Sequence, residues 1–269
     1  MAADTDISWC DHTLNFWVGC EEVSPACDHC YAKAWAARAG RPELWEGVLA
    51  QTKTWKDADK WNRAWLPFFH KHGRRQRVFS NSLSDFFDKR AARSMRLAAW
   101  AKIKACGNLD WYLVTKRIGN VEKMLPEDWA PTAYGHVVII STIVTQAEAD
   151  RDIPKLVALK RRYPWLKIGL SMEPLLERVI LKAEWLGDLD WIIVGGESGG
   201  HARLMRMEWA LILLDQAKEF GVAFHFKQIG NKHEGWPGEI AGKGDYMAEW
   251  PEALRVREWP VTAAGKAIA

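Results

Sequence analysis

No apolar run in this sequence approaches the roughly 18 residues needed to span a bilayer. The opening residues, Met-Ala-Ala-Asp-Thr-Asp, lack the basic and apolar stretches of a secretory leader. Neither a membrane partner nor export is therefore expected, and the cytoplasm is the expected compartment. No charge sign dominates, with 37 Lys and Arg against 34 Asp and Glu; the net charge of +3 is too small by itself to mark a nucleic-acid binder. Internal repeats and low-complexity tracts are absent. Cysteine is scarce too: there are five, an odd number, and no second Cys-x-x-Cys pair follows the first. Three of them lie between Cys20 and Cys30, which suits metal ligation in a reducing compartment better than a disulfide framework.

What is present is enough for a sizeable core. Hydrophobic residues make up 48% of the 269 positions and charged residues 26%, the balance of a folded globular chain. A length of this order suits one domain covering 1–269. Tryptophan is unusually frequent, at 17, and Trp35, Trp100, Trp111 and Trp191 sit where elements turn toward a core, so packing is the expectation for most of them.

Short apolar runs recur, each ending in small or polar residues. The expected strands are Phe16–Gly19, Val78–Asn81, Trp111–Thr115, Val137–Ser141, Lys167–Ser171, Trp191–Val194 and Ala223–Phe226. Most are almost continuously hydrophobic, as strands buried on both faces are. Apolar spacing of three and four residues predicts helices over Tyr31–Ala39, Ala91–Ala105, Ala147–Arg162 and Glu208–Phe220, with Gly107 and Gly221 as stop signals. Strands alternating with helices imply an α/β fold, a full or partial TIM-type barrel of six or seven parallel strands. The stretch at about 41–76, rich in Trp, Lys and His, interrupts this rhythm and reads as an insertion of the kind that forms lids or binding elements. The tail from 231 to 269 reads as irregular, packing across one barrel end.

The chemistry concentrates in Val18-Gly-Cys20-Glu-Glu-Val-Ser-Pro-Ala-Cys27-Asp-His-Cys30-Tyr-Ala. Three thiolates at C-x6-C-x2-C spacing sit between an expected strand and an expected helix. A [4Fe-4S] cubane needs four ligands, so three cysteines leave one iron open. The loop falls at a strand's carboxyl end, where barrel chemistry gathers, and the next helix offers free amides and the positive end of its dipole to an anionic cluster. Two other readings use the same residues. In one, a structural zinc ion recruits His29, His12 or Cys10 as fourth ligand, although closed zinc sites usually use two cysteine pairs. In the other, the thiols are buried and inert. The zinc reading corresponds to a non-catalytic nucleic-acid-binding module.

The stretch resembles the N-terminal motif of a phage-associated three-cysteine family placed in the radical S-adenosylmethionine superfamily, which reads Trp-Asn-Pro…Gly-Cys-x6-Cys-x2-Cys-Tyr-Ala. Here that is Leu14-Asn15-Phe16-Trp17-Val18-Gly19-Cys20, then Cys27, Cys30, Tyr31 and Ala32, with Phe16 at the usual proline. The spacing also differs from the superfamily's commonest C-x3-C-x2-C. The likeness continues through Val78-Phe-Ser-Asn-Ser-Leu-Ser-Asp-Phe-Phe87, Leu113-Val-Thr-Lys-Arg117, Ser171-Met-Glu-Pro-Leu175, Ile192-Ile-Val-Gly-Gly-Glu-Ser-Gly199 and Phe226-Lys-Gln-Ile-Gly230.

The resemblance implies an enzyme whose cluster, held by Cys20, Cys27 and Cys30, cleaves S-adenosylmethionine to a 5′-deoxyadenosyl radical with an electron from a flavodoxin- or ferredoxin-type donor. It places Ser82, Ser84 and Asp85 near the cosubstrate's amino group, although Ser and Asp before a helix also serve as caps. Lys116 is the expected partner of its carboxylate, with Arg117 beside it as a substrate contact. Ser141 in the variant fourth-strand segment Ile139–Ile143, the strand-end Glu173, and Gly195, Gly196 and Glu197 complete the expected cosubstrate set. His201, Arg203, Lys227 and Gln228 are the further substrate candidates; each can equally bond the tail. The expected substrate is a nucleic acid or nucleotide, on the phage likeness and on the basic run Lys71-His-Gly-Arg-Arg-Gln-Arg77 near the entrance.

Overall fold

A computed structural model describes residues 5–260. Seven parallel strands form one open sheet whose spatial order equals their chain order: β1 (His12–Leu14), β2 (Gln76–Ser80), β3 (Leu109–Thr115), β4 (Val137–Thr142), β5 (Lys167–Met172), β6 (Trp191–Gly195) and β7 (Ala223–Gln228). With helices in the crossovers, this is a partial α/β barrel of TIM type. Compactness divides the described residues into two units, 5–140 with 163–167, and 141–162 with 168–260.

The central strands are as apolar as expected. Every residue of β4 and β6 is buried, because helices leave neither face to water. The first strand is a correction. Phe16–Gly19, the apolar run, supplies only the two-residue strand Trp17–Val18, paired antiparallel with Ala50–Gln51. The sheet strand is the more polar His12–Leu14, in register with Val78–Ser80 of β2. His12 is buried there because its ring stacks on Trp61 at 4.1 Å and its Nε2 bonds Gln76 Oε1 at 2.7 Å.

The crossover from β1 to β2 carries α1 (Tyr31–Arg38), α2 (Trp55–Arg63) and α3 (Trp65–His72). Residues 41–76, read as an insertion, therefore hold two helices, and α2 packs on the first unit through Trp61 and through Trp55, whose Nε1 donates to the Phe16 carbonyl at 3.1 Å. The remaining long helices, α4 (Arg93–Ala105), α5 (Gln146–Arg162) and α6 (Met207–Phe220), fall within two residues of their expected limits. Gly221 ends α6 in the left-handed region, at φ 66°. Gly107 does not cap α4; Cys106 does, and Gly107 is absent from the positive-φ glycines.

Most tryptophans pack as expected. In the first unit Trp100, fully buried, meets Phe86 at 4.7 Å, Trp129 at 5.3 Å and Tyr134 at 5.6 Å. In the second, Trp191 is buried and its Nε1 donates to the Glu258 carbonyl at 2.9 Å. The irregular tail has a definite task. Val256 accepts from the Phe226 amide and Glu258 donates to the Phe224 carbonyl, both at 2.9 Å, so residues 256–258 cover the open edge of β7. Its residues beyond 260 lie outside the described residues.

Candidate active site

In the first unit, the carboxyl ends of β1, β2 and β3 meet the cysteine loop. Gly19 prepares the loop's entry: its φ is 112°, and a Cβ there would overlap the Val48 carbonyl, so only glycine fits. The Cys20 amide then donates to the Leu44 carbonyl at 2.7 Å. Ser24 caps the single turn Pro25–Cys27 by accepting from the Ala26 amide at 3.1 Å. Cys30 is the N-cap of α1 and packs on a small cluster of Val18, Ala32, Ala36, Leu44 and Leu83.

All three thiols are free, Cys27 buried and the other two half-buried. Burial pushes the Cys20 and Cys30 thiols up, and nearby donors oppose it. At Cys20 that opposition is the Arg117 guanidinium. At Cys30 it is the Lys116 ammonium and the Ala32 and Lys33 amides at the start of α1, although no capping hydrogen bond forms. Cys27 also acts on Cys30, so the two thiols are electrostatic neighbours.

The ends of β2 and β3 are tied together by Asp85. Its carboxylate accepts from Thr115 Oγ1 at 2.8 Å, from the Phe87 amide at 2.9 Å, from the Lys116 amide at 3.0 Å and from Arg117 Nη1 at 3.3 Å. Ser84 is committed as well: its hydroxyl donates to the Trp17 carbonyl and accepts from Asn81 Nδ2, both at 2.7 Å. Asn81 is the one non-glycine residue among those described with positive φ, at 61°, a conformation asparagine tolerates through such local bonds. Ser82 accepts from Asn15 Nδ2 at 3.0 Å through its hydroxyl and from the Tyr31 hydroxyl at 2.5 Å through its carbonyl. Lys116 is half-buried and Arg117 nearly buried, so neither is a solvated surface cation.

In the second unit, Ser141 and Thr142 end β4. Both are buried, and among the described residues neither hydroxyl has a hydrogen-bond partner. Glu173, just past β5, pairs with Lys227 of β7 at 2.6 Å, and Ser171 Oγ donates to it at 3.4 Å. Glu197, past β6, is buried and clamps Arg203, accepting from its amide at 2.8 Å and its guanidinium at 2.7 and 3.0 Å. The glycines between them serve backbone packing. A Cβ on Gly196 would overlap the Ile229 carbonyl, and its own carbonyl accepts from Gln228 Nε2 at 2.8 Å. Gly195 lies 3.4 Å, measured from an ideal Cβ, from Lys227 Cβ. His201 is exposed in the loop that follows.

Several members of the site were not among the expected site residues. Asn15 is fully buried and links the β1 end to the β2 end, accepting from the Leu83 amide at 2.7 Å. Asp88 and Arg90 extend the charge network, with Arg90 also on Glu21 at 3.0 Å. Burial opposes ionisation of Asp88, but Arg90 and Arg117 outweigh it and hold the carboxyl below its usual range. The basic run 71–77 is differently placed from expectation. It runs from the end of α3 into the start of β2, at the amino-terminal end of that strand, where Arg74 binds Asp11 at 2.7 and 2.8 Å and Arg75 binds the Gly107 carbonyl at 2.7 Å.

The residues fit a thiolate-ligated cluster on three observations: three uncrosslinked cysteines in one loop, two cations at the neighbouring strand end, and helix amides acting on one sulfur. They fit a closed zinc site less well. His12 is engaged by Gln76 and Trp61, and Cys10 is a buried neighbour of Tyr112. Among the described residues no three His, Cys, Asp or Glu groups converge on one ion.

A family model described as "Protein of unknown function (DUF5131)" matches residues 4–262. No curated protein matches the chain. Among solved structures, it is similar to a spore photoproduct lyase variant with bound AdoMet and dinucleoside spore photoproduct, at 13% identity over 81% of this chain and 55% of that one, with a TM-score of 0.43. A second spore photoproduct lyase variant is 12% identical over 84% of this chain and 58% of the other, again with a TM-score of 0.43. The chain thus spans less than two thirds of either structure's length.

Proposed function

The chain belongs to the family of proteins of unknown function DUF5131, and on that premise we propose that it is a radical S-adenosylmethionine enzyme acting on a nucleic acid or nucleotide. The observation that carries this reading is the loop of three free cysteines flanked by Lys116 and Arg117. The motif likeness to the phage-associated three-cysteine family supports it. Cys20, Cys27 and Cys30 would hold a [4Fe-4S] cluster, which when bound supplies the electron that breaks a carbon–sulfur bond of S-adenosylmethionine and yields a 5′-deoxyadenosyl radical.

The protein's own residues bind, orient and exclude water. Lys116, beside Cys30, is the cation for the cosubstrate carboxylate. Ser82 carries a hydroxyl oriented by Asn15, while Ser84 and Asp85 hold the loop that presents it. The unpartnered Ser141 and Thr142 hydroxyls suit polar groups of a ligand, since a buried hydroxyl left unbonded is costly. Glu173 with Lys227, and Glu197 with Arg203, are paired charges at strand ends whose remaining valences suit sugar and phosphate oxygens. Gly195, Gly196 and Gln228 lie at the ends of the same strands, and His201 in the loop that follows β6. For the substrate, Lys56, Lys60 and Arg63 recur at four- and three-residue spacing along α2, with Lys53 just before the helix, all exposed, as a stripe that phosphates can follow.

Anaerobic reconstitution with iron and sulfide, then reduction with S-adenosylmethionine present, should yield a brown protein that releases 5′-deoxyadenosine. Cys27→Ala should abolish that release. Equal release from the variant, or a colourless protein holding one zinc, overturns the proposal.

A further inference from the structure

Arg117 is the most heavily engaged side chain at the cysteine loop. Its side chain is 9% exposed. The guanidinium meets Asp85 at 3.3 Å, Asp88 at 3.5 Å and Glu21 at 3.8 Å, and Nη1 donates to Cys20 Sγ at 3.8 Å, within hydrogen-bonding reach for sulfur. Those carboxylates are themselves fixed. Asp85 is held by Thr115 and the Lys116 amide, and Asp88 by Arg90. The fork therefore sits among three acids and one sulfur: Nη1 makes the contacts to Asp85 and Cys20 Sγ, while Nη2 makes ion pairs with Asp88 and Glu21 but no hydrogen bond.

We propose that Arg117 is a positioning residue which, by donating to Cys20 Sγ, locks the first cysteine in place and raises the reduction potential of the centre bound there. The inference rests on the cluster reading above. Arginine suits the task because its charge is permanent and its planar fork can hold two carboxylates and a sulfur together. Reduction adds negative charge to a thiolate-ligated centre, so a donor on one ligand sulfur favours the reduced form. The three sulfurs are supported unequally. Cys30 has the α1 amides and Lys116, whereas Cys20, at the far end of the loop, has the guanidinium. Without Arg117, the loop from Cys20 to Cys30 loses the contacts that Cys20 Sγ and Glu21 make to the end of β3.

The test compares the parent with Arg117→Lys and Arg117→Met, using two readouts besides turnover. Spectroelectrochemical titration of the reconstituted protein should move the midpoint potential to more negative values in both variants, with the larger shift in Arg117→Met. Hydrogen exchange on the metal-free protein should accelerate about tenfold for amides 20–30 in Arg117→Met, as expected for one lost charge-assisted hydrogen bond. If Arg117→Met does not fold, the same directions are required of Arg117→Lys. A parent that takes up no cluster overturns the enzyme reading, while the exchange data still decide whether Arg117 restrains the loop. Unchanged potential in folded variants, or unchanged exchange, overturns the inference.

Discussion

At the scale of single residues, burial without a counter-charge is as informative as burial with one. His136 lies just before β4, buried, with Nε2 donating to the Ile103 carbonyl at 3.0 Å. Desolvation dominates and pushes its pKa down to about 4, below the 6.5 of a free imidazole, with Arg75 adding to the shift and the Ile103 bond opposing it. The folded state therefore refuses a proton that the unfolded chain accepts. Stability should be fully present above about pH 6.5 and fall as pH drops toward 4, by about 3 kcal/mol over the whole window. Urea unfolding at pH 7.5 and pH 5 would show the loss, and His136→Gln, which keeps a donor, should remove most of the difference. An identical pH response in that variant refutes the assignment. Such a group differs from Asp88, whose carboxyl is held ionised by two arginines.

At the scale of elements, the tail and the first crossover show how irregular sequence becomes structure. Residues 256–258 act as a substitute edge strand, and the Glu258 amide is one of its donors. Glu258→Pro removes that donor and leaves the Phe224 carbonyl unpaired at an open sheet edge. We expect about 1–3 kcal/mol lower stability, read as a lower urea midpoint, with increased self-association by light scattering. An unchanged midpoint would mean the tail merely rests there. In the first crossover, α2 and α3 were legible only as a Trp-, Lys- and His-rich stretch. Their packing depends on Trp61 finding His12, more than forty positions earlier in the chain, a pairing that no local periodicity announces.

At the scale of the whole molecule, a net charge of +3 hides an uneven distribution. The densest basic run, 71–77, is partly consumed by Asp11 and the Gly107 carbonyl, whereas the sparser cations of α2 are all exposed. Binding to a single-stranded oligonucleotide should therefore weaken linearly with log salt. Replacing Lys56, Lys60 and Arg63 together by Glu should flatten that slope by at least about three contacts' worth. Replacing Lys71 and His72 should change it less. Equal effects from the two sets, or no salt dependence at all, would remove α2 as the contact surface.

From the sequence alone came the fold class, six of the seven sheet strands, the four helices that follow simple periodicity, and the proposal that the cysteine loop is the seat of chemistry. Each of these is written locally: a strand buried on both faces must be apolar, a helix packed on one side must repeat at three and four residues, and a loop that binds metal must carry its ligands. Tertiary structure alone decided the rest. The first sheet strand is polar because its burial is underwritten by Gln76 and Trp61, far along the chain. Arg117 faces Cys20, and Lys116 lies near Cys30, because Asp85 binds the end of β3 from the end of β2. Burial, hydrogen-bond partners and the direction of a charge are properties of the neighbours that folding brings together, and a single position in a linear chain does not contain them.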